Sequence, residues 1–296
     1  MTDPLNESFD AYLQRSLDQP GKSRFARIAG IRMHYLEWPG PADAPTVLLL
    51  HGFLAHAHWW DFIAPWLAVH YRVIAPDFGG MGDSEHRNDY SHAHFTDEIT
   101  GIVEATASAG CSAIGHSFGG RALLHACGTR PDLFRRAIVV DSRLGSQADP
   151  LRGFDEEWRP KKRYPDADSI LRRFQLKPAE PAPAAAMQHM ARASMRQDGD
   201  AWVWKFDENV TRLFQQRSDS HGIDDAQLLQ HLTTQVDFIY GEESRVVTPA
   251  RAALLADCLP RVGSVTGIPC SHHHLPVSQP IALLAVLRVL LQQKVS

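Results

Sequence analysis

The chain has 296 residues, 44% hydrophobic and 22% charged, the balance of a soluble globular protein that buries a sizeable core. Its formal net charge of −4 excludes the basic footprint that nucleic-acid binding needs. The polar start MTDPLNESFDAYLQRSLDQP has neither a basic nor an apolar signal region, and the apolar run from Ile281 to Leu287 is too short to span a bilayer, so no secretory signal and no membrane association are expected. Four cysteines (Cys111, Cys127, Cys258, Cys270) without CxxC spacing read as reduced thiols of a cytoplasmic protein.

Short β-rich runs alternate with helix-length segments. TVLLLHG (Thr46–Gly52) comes first, then a helical stretch from near His58, then RVIAPDF (Arg72–Phe78). A helix from about His94 to Ala109 leads into CSAIGHS (Cys111–Ser117), and a helix ending near Gly128-Thr129-Arg130-Pro131 leads into RAIVVDS (Arg136–Ser142). This order predicts an α/β fold, a mostly parallel sheet with helices on both faces. The alternation then stops. Residues 145–231 contain no comparable β run, but prolines, the basic run Arg159, Lys161, Lys162, Arg163, and helical pieces such as DADSILRRFQL (Asp166–Leu176). PAEPAPAAA reads as a linker or helix entry. Strands resume at QVDFIYG (Gln235–Gly241) and GSVTGI (Gly263–Ile268), with Thr248-Pro249 reading as N-cap and first helical position between them. A final helix runs from about Gln279 to Gln292. The predicted organisation is a core of residues 1–142 and 232–296, with a mainly helical cap over 143–231.

The chemistry-bearing motif is Gly115-His116-Ser117-Phe118-Gly119, a G-x-S-x-G between a strand and a helix. Such a turn must be tight enough to project the Ser117 hydroxyl, and side chains at positions 115 and 119 would collide. The Phe118 N–H, at a helix N-terminus, then faces a reacting oxygen.

On these residues the chain resembles the α/β-hydrolase family, over nearly its whole length. HGFLAH (His51–His56) is similar to the family's HG loop, which implies Phe53 N–H as the second oxyanion-hole donor; DFGGMGDS (Asp77–Ser84) is similar to a turn that makes Asp77 structural. The insertion after Ser142 falls where the family places its cap. VTGIPCSHHHLPVSQP (Val265–Pro280) resembles the last strand and histidine loop, and the family's spacing to Pro280 selects His273 over His272 as the general base. A metal reading of the triple histidine has no Asp, Glu or Cys at ligand spacing beside it. The family's usual acid position holds Ser244 instead. The resemblance to a subset of members then implies Asp141, at the end of RAIVVDS, with Glu242 or Glu243 as alternatives.

The implied function is a serine hydrolase of a small carboxylic ester or related acyl compound, through Ser117, His273 and Asp141, with no cofactor and no metal. Thioester or C–C bond hydrolysis on the same triad, and a non-catalytic ligand receptor on the same fold, stay open. A serine nucleophile argues against epoxide opening and dehalogenation, for which the family uses Asp. Cap aromatics Trp158, Tyr164, Phe174, Trp202, Trp204 and Phe206 form either the cap's own core or an apolar, aromatic substrate pocket. His116 is expected to pack behind the turn, and His56 and His58 to lie in a loop.

Overall fold

The computed structural model describes residues 8–106, 110–144, 162–215, 231–258 and 262–293. The described residues begin with helix α1 (Phe9–Leu17) and a hairpin not expected from the sequence, β1 (Lys22–Ile28) and β2 (Ile31–Trp38). Their register closes at Ile28↔Ile31 through Ala29 and Gly30, both at positive φ, the turn whose twist suits a two-residue hairpin loop. Strand β1 is exposed over most of its length, so it shows no clean two-residue alternation.

Strands β3 (Thr46–Leu50), β4 (Arg72–Pro76), β5 (Cys111–His116) and β6 (Phe134–Val140) follow the predicted runs closely. Later in the chain, β9 (Gln235–Gly241) and β10 (Val262–Ile268) complete one sheet in the order β1-β2-β4-β3-β5-β6-β9-β10. The β1–β2 and β2–β4 pairs are antiparallel and every other pair is parallel. The central strands are buried on both faces, and successive residues feed two separate cores. Leu48 and Leu50 pack with Phe95 and Ile99 of α3 (His92–Ala105) and with Leu123 and Leu124 of α4 (Phe118–Thr129). Val47 and Leu49 pack on the other face with Tyr12 of α1, Trp66 of α2 (Ala64–Leu67), and Leu283 and Leu287 of the last helix. Burial of each such leucine stabilises by about 1.5–3 kcal/mol before conformational entropy is counted.

Between β6 and β9 the described residues form α5 (Ala167–Leu171), α6 (Ala184–Ala193) and α7 (Glu208–Gln215), and also a short hairpin, β7 (Met195–Asp198) and β8 (Ala201–Trp204). The hairpin departs from the expected lack of strands. Only Met195 of β7 is buried, so the strand carries almost no apolar signal. In β8, Ala201 and Val203 face inward, whereas Trp202 and Trp204 share the other, half-buried face. Trp204 meets Tyr164 and Phe174 at ring-centroid distances of 6.3 and 6.1 Å, so these aromatics pack on one another. Trp158, Arg159 and Lys161 lie outside the described residues.

After β9, α8 (Pro249–Cys258) starts at the predicted signal, the Thr248 hydroxyl accepting from Arg251 N–H at 3.3 Å. Helices α9 (Leu275–Ser278) and α10 (Pro280–Gln292) close the chain. Among the described residues no helix is long and apolar enough to cross a membrane.

Candidate active site

Ser117 occupies the junction of β5 and α4 at φ 52°, ψ −117°, a backbone conformation that L-residues rarely adopt. Such strain costs on the order of 1–3 kcal/mol and persists only where its surroundings enforce it. Two glycines do so. A Cβ on Gly115 would stand 2.6 Å from Gly119 O and Gly120 Cα, and one on Gly119 would stand 2.5 Å from His51 O. Ser117 N–H donates to Val140 O at 2.8 Å, which ties the turn to the end of β6. The predicted collisions are therefore real, and they involve the backbone of the HG loop as well as the helix.

The next residue along that neighbouring strand is Asp141, itself at φ 44° and fully buried. Its carboxylate is held on three sides. Oδ2 accepts from Gly241 N–H at 2.9 Å, and Oδ1 accepts from Ser244 Oγ at 2.7 Å and from His273 Nδ1 at 2.8 Å. Of the three proposed acids, Asp141 is the one that meets His273. Glu242 and Glu243 are exposed, and Glu243 lies 3.6 Å from His272 instead. Ser244, at the family's usual acid position, thus serves as a hydroxyl donor to the displaced carboxylate. Gly241 matters for the same approach: a Cβ there would run into the carbonyls of Ser271 and His272.

His273 is 3% exposed, and the Asp141 contact fixes its Nδ1 as the protonated nitrogen, leaving Nε2 as a base. Burial, with His274 beside it, pushes the imidazole below its ordinary value. Burial also pushes the Asp141 carboxyl up, against the hydrogen bonds from Gly241 and Ser244. His116, adjacent to Ser117, is buried and donates through Nε2 to His273 O at 2.9 Å, with the two rings 4.8 Å apart. It thus connects that turn to the histidine loop, with its ring against those of His273 and Trp59.

One further residue, from outside this loop, completes it. Glu180, from the proline-rich segment read as a linker, accepts His273 N–H at 3.0 Å and His274 N–H at 2.8 Å, one on each carboxylate oxygen. Its Oε2 also lies 3.0 Å from His274 Nδ1. Burial opposes this carboxylate, yet the His274 contacts hold its carboxyl below the ordinary value. No periodicity or motif marks Glu180; a lone acid among prolines was its only signal.

The other expected residues fall where the HG loop and the Asp77 turn meet. Phe53 and Phe118 have ring centroids 5.8 Å apart, and Phe118 stacks edge-on with Phe78 and Phe95. His51 accepts Phe78 N–H through Nε2. Asp77 is structural: buried, it accepts from Ala57 N–H, Asp83 N–H and His34. His34, with His51 and His56 nearby, holds its carboxyl well below the carboxylate range despite the burial. Chemically the ensemble offers a hydroxyl, an imidazole and a buried carboxylate beyond the carboxyl ends of β5, β10 and β6, all in the parallel part of the sheet.

Comparisons with known proteins agree with this architecture. The family model described as alpha/beta hydrolase fold matches residues 45–277. AB hydrolase superfamily protein YfhM of Bacillus subtilis is 32% identical over 124 residues, covering 40% of this chain and 43% of that protein. The chain thus spans less than half of that relative's length. Esterase Rv0045c of Mycobacterium tuberculosis is 27% identical over 280 residues, covering 90% of this chain and 89% of its own. Its solved structure superposes with a TM-score of 0.71 at 19% identity, covering 97% of this chain and 99% of that one. A thioesterase domain from the curacin biosynthetic pathway superposes at 0.77, with 21% identity and coverage of 90% and 99%. Sheet order, strained turn and family match together place this chain in the alpha/beta hydrolase fold family.

Proposed function

We propose that this hydrolase-family protein is a serine hydrolase of a small ester or related acyl compound. The observation that carries the reading is the buried Asp141–His273 hydrogen bond of 2.8 Å, with Asp141 directly following the strand whose Val140 O accepts from the N–H of a serine held at φ 52°. His273 Nε2 takes the proton of Ser117 Oγ as that oxygen attacks the acyl carbon. The imidazolium that forms is stabilised by Asp141, whose remaining lone pairs are occupied by Gly241 and Ser244. The N–H groups of Phe53 and Phe118 hold the developing oxyanion; one such donor is worth about 3 kcal/mol of transition-state stabilisation. The proton then passes to the leaving group, the acyl group stays on Ser117, and water resolves the ester by the reverse sequence.

The hydroxyl nucleophile favours acyl transfer over the epoxide opening named for some relatives, such as Epoxide hydrolase 4 of Homo sapiens, 29% identical over 126 residues. An apolar or aromatic acyl substrate suits the aromatic rings around the turn, Phe53, Phe118 and Trp59, the last at 5.4 Å from His274. The segment over residues 143–231 acts as a cap, anchored by Glu180 on the histidine loop and by Lys205 on Asp83 at 2.7 Å. Turnover of a 4-nitrophenyl ester series tests the reading. Saturable hydrolysis that falls at least about 1,000-fold in Ser117→Ala supports it, as loss of a triad nucleophile does; equal rates in the variant reject it.

A further inference from the structure

Away from the candidate site, a histidine–carboxylate cluster lies where the insertion meets the core. His58 belongs to the turn Ala57–Trp60 and Asp61 follows it directly, whereas His189 comes from α6, 128 residues further on. His58 Nδ1 stands 2.8 Å and His189 Nε2 stands 2.7 Å from the same oxygen, Asp61 Oδ2. The three atoms all lie within 4.8 Å of one another. We propose that His58, Asp61 and His189 bind a divalent transition-metal ion of the Zn2+ type, which staples the cap helix α6 to the core.

Three observations carry this. First, the donor set is right: two imidazole nitrogens and a carboxylate oxygen, with room for solvent, make the three-ligand-plus-water site that Zn2+ favours. The histidine side chains are 30% and 25% exposed, so water and ion can reach them. Second, the metal-free arrangement is lopsided. Both histidines converge on Oδ2, while Oδ1 of Asp61, a residue 7% exposed, is buried without a hydrogen-bond partner among the described residues. A dication would answer that buried charge through both oxygens, and each ring needs only to shift its proton to the other nitrogen. Third, a further imidazole is at hand. His56 is 2% exposed, its Nδ1 is buried without a partner among the described residues, and its ring centroid is 5.8 Å from that of His58.

The comparable cluster His34, Asp77 and Asp83 lacks these features. Asp77 is filled by Ala57 N–H, Asp83 N–H and His34, and Asp83 takes the Lys205 ammonium. Its lone pairs are already spent on the fold.

The test uses the full-length protein stripped with a chelator and titrated calorimetrically with Zn2+, then with Co2+ as a spectroscopic probe. One equivalent of Zn2+ should bind, raise the melting temperature, and give Co2+ the visible absorption of a four-coordinate site. His189→Ala and Asp61→Asn should each weaken binding by roughly 100-fold or more, beyond what loss of an outer-shell partner produces. His58→Ala serves if either variant fails to fold, and His70→Ala, an exposed histidine elsewhere, should bind as the parent does. Ester turnover of His189→Ala in chelator should match that of the parent. Absence of stoichiometric binding, or binding that survives His189→Ala and His58→Ala, would overturn the proposal.

Discussion

Replacing Asp141 by Asn tests the site where its geometry is most demanding. The carboxylate accepts from Gly241 N–H on one oxygen, and from Ser244 Oγ and His273 Nδ1 on the other. An amide has a single oxygen. If that oxygen takes the Oδ1 place, the NH2 group confronts Gly241 N–H at about the present 2.9 Å, donor against donor. One buried N–H is then orphaned, a cost of about 1–3 kcal/mol in stability. If it takes the Oδ2 place, the NH2 group faces His273 Nδ1 and drives the ring into the tautomer protonated at Nε2. That ring cannot accept the serine proton, and such a tautomer error lowers kcat by about 10,000-fold in a serine triad. Ser244 can rotate its hydroxyl and adapts to either orientation. Turnover of a 4-nitrophenyl ester, read beside a urea melt, separates the two outcomes. Both predict a severe loss of kcat or of stability, whereas Glu243→Gln, on an exposed side chain, should change neither. Near-parental kcat and stability in Asp141→Asn would refute the assignment of the acid.

His273→Ala should be nearly inactive, while His272→Ala, whose ring faces Glu243, should keep most of its rate; similar survival of both would reject the chosen histidine. The pH profile of kcat/KM has a definite sign. An imidazole whose value is lowered by burial stays neutral further into acid, so activity is lost only as pH falls below the ordinary histidine value of 6.5. An acid limb centred above 7 would contradict this. Glu180→Gln keeps one acceptor for the His273 and His274 amides but removes the charge that raises the His273 value. Its acid limb should move to lower pH and its turnover should fall by about tenfold, the effect of about 1.4 kcal/mol. A changed rate with an unmoved limb would show that Glu180 only shapes the loop.

Strong local patterns made most of the core readable. TVLLL, CSAIGH and QVDFIYG are strands buried on both faces, and their long apolar runs mark them clearly. The turn at Ser117 was legible because backbone crowding dictates glycine on either side. The N-terminal hairpin was not, because exposed β1 has no reason to alternate. Asp141 could be named from resemblance alone, while the groups that hold its carboxylate, Gly241 and Ser244, lie 100 and 103 residues away in sequence. Glu180 escaped notice altogether. Its contacts arise when the segment between β6 and β9 folds back onto the histidine loop, bringing together residues 93 and 94 positions apart, which leaves no periodic trace.

The proposed mechanism turns on attack by the Ser117 hydroxyl. Incubation with a fluorophosphonate, followed by intact mass and peptide mapping, measures it directly. One adduct per chain is expected, on the peptide carrying Ser117, abolished in Ser117→Ala and slowed strongly in His273→Ala. Labelling at another serine, or undiminished labelling of Ser117→Ala, would contradict it.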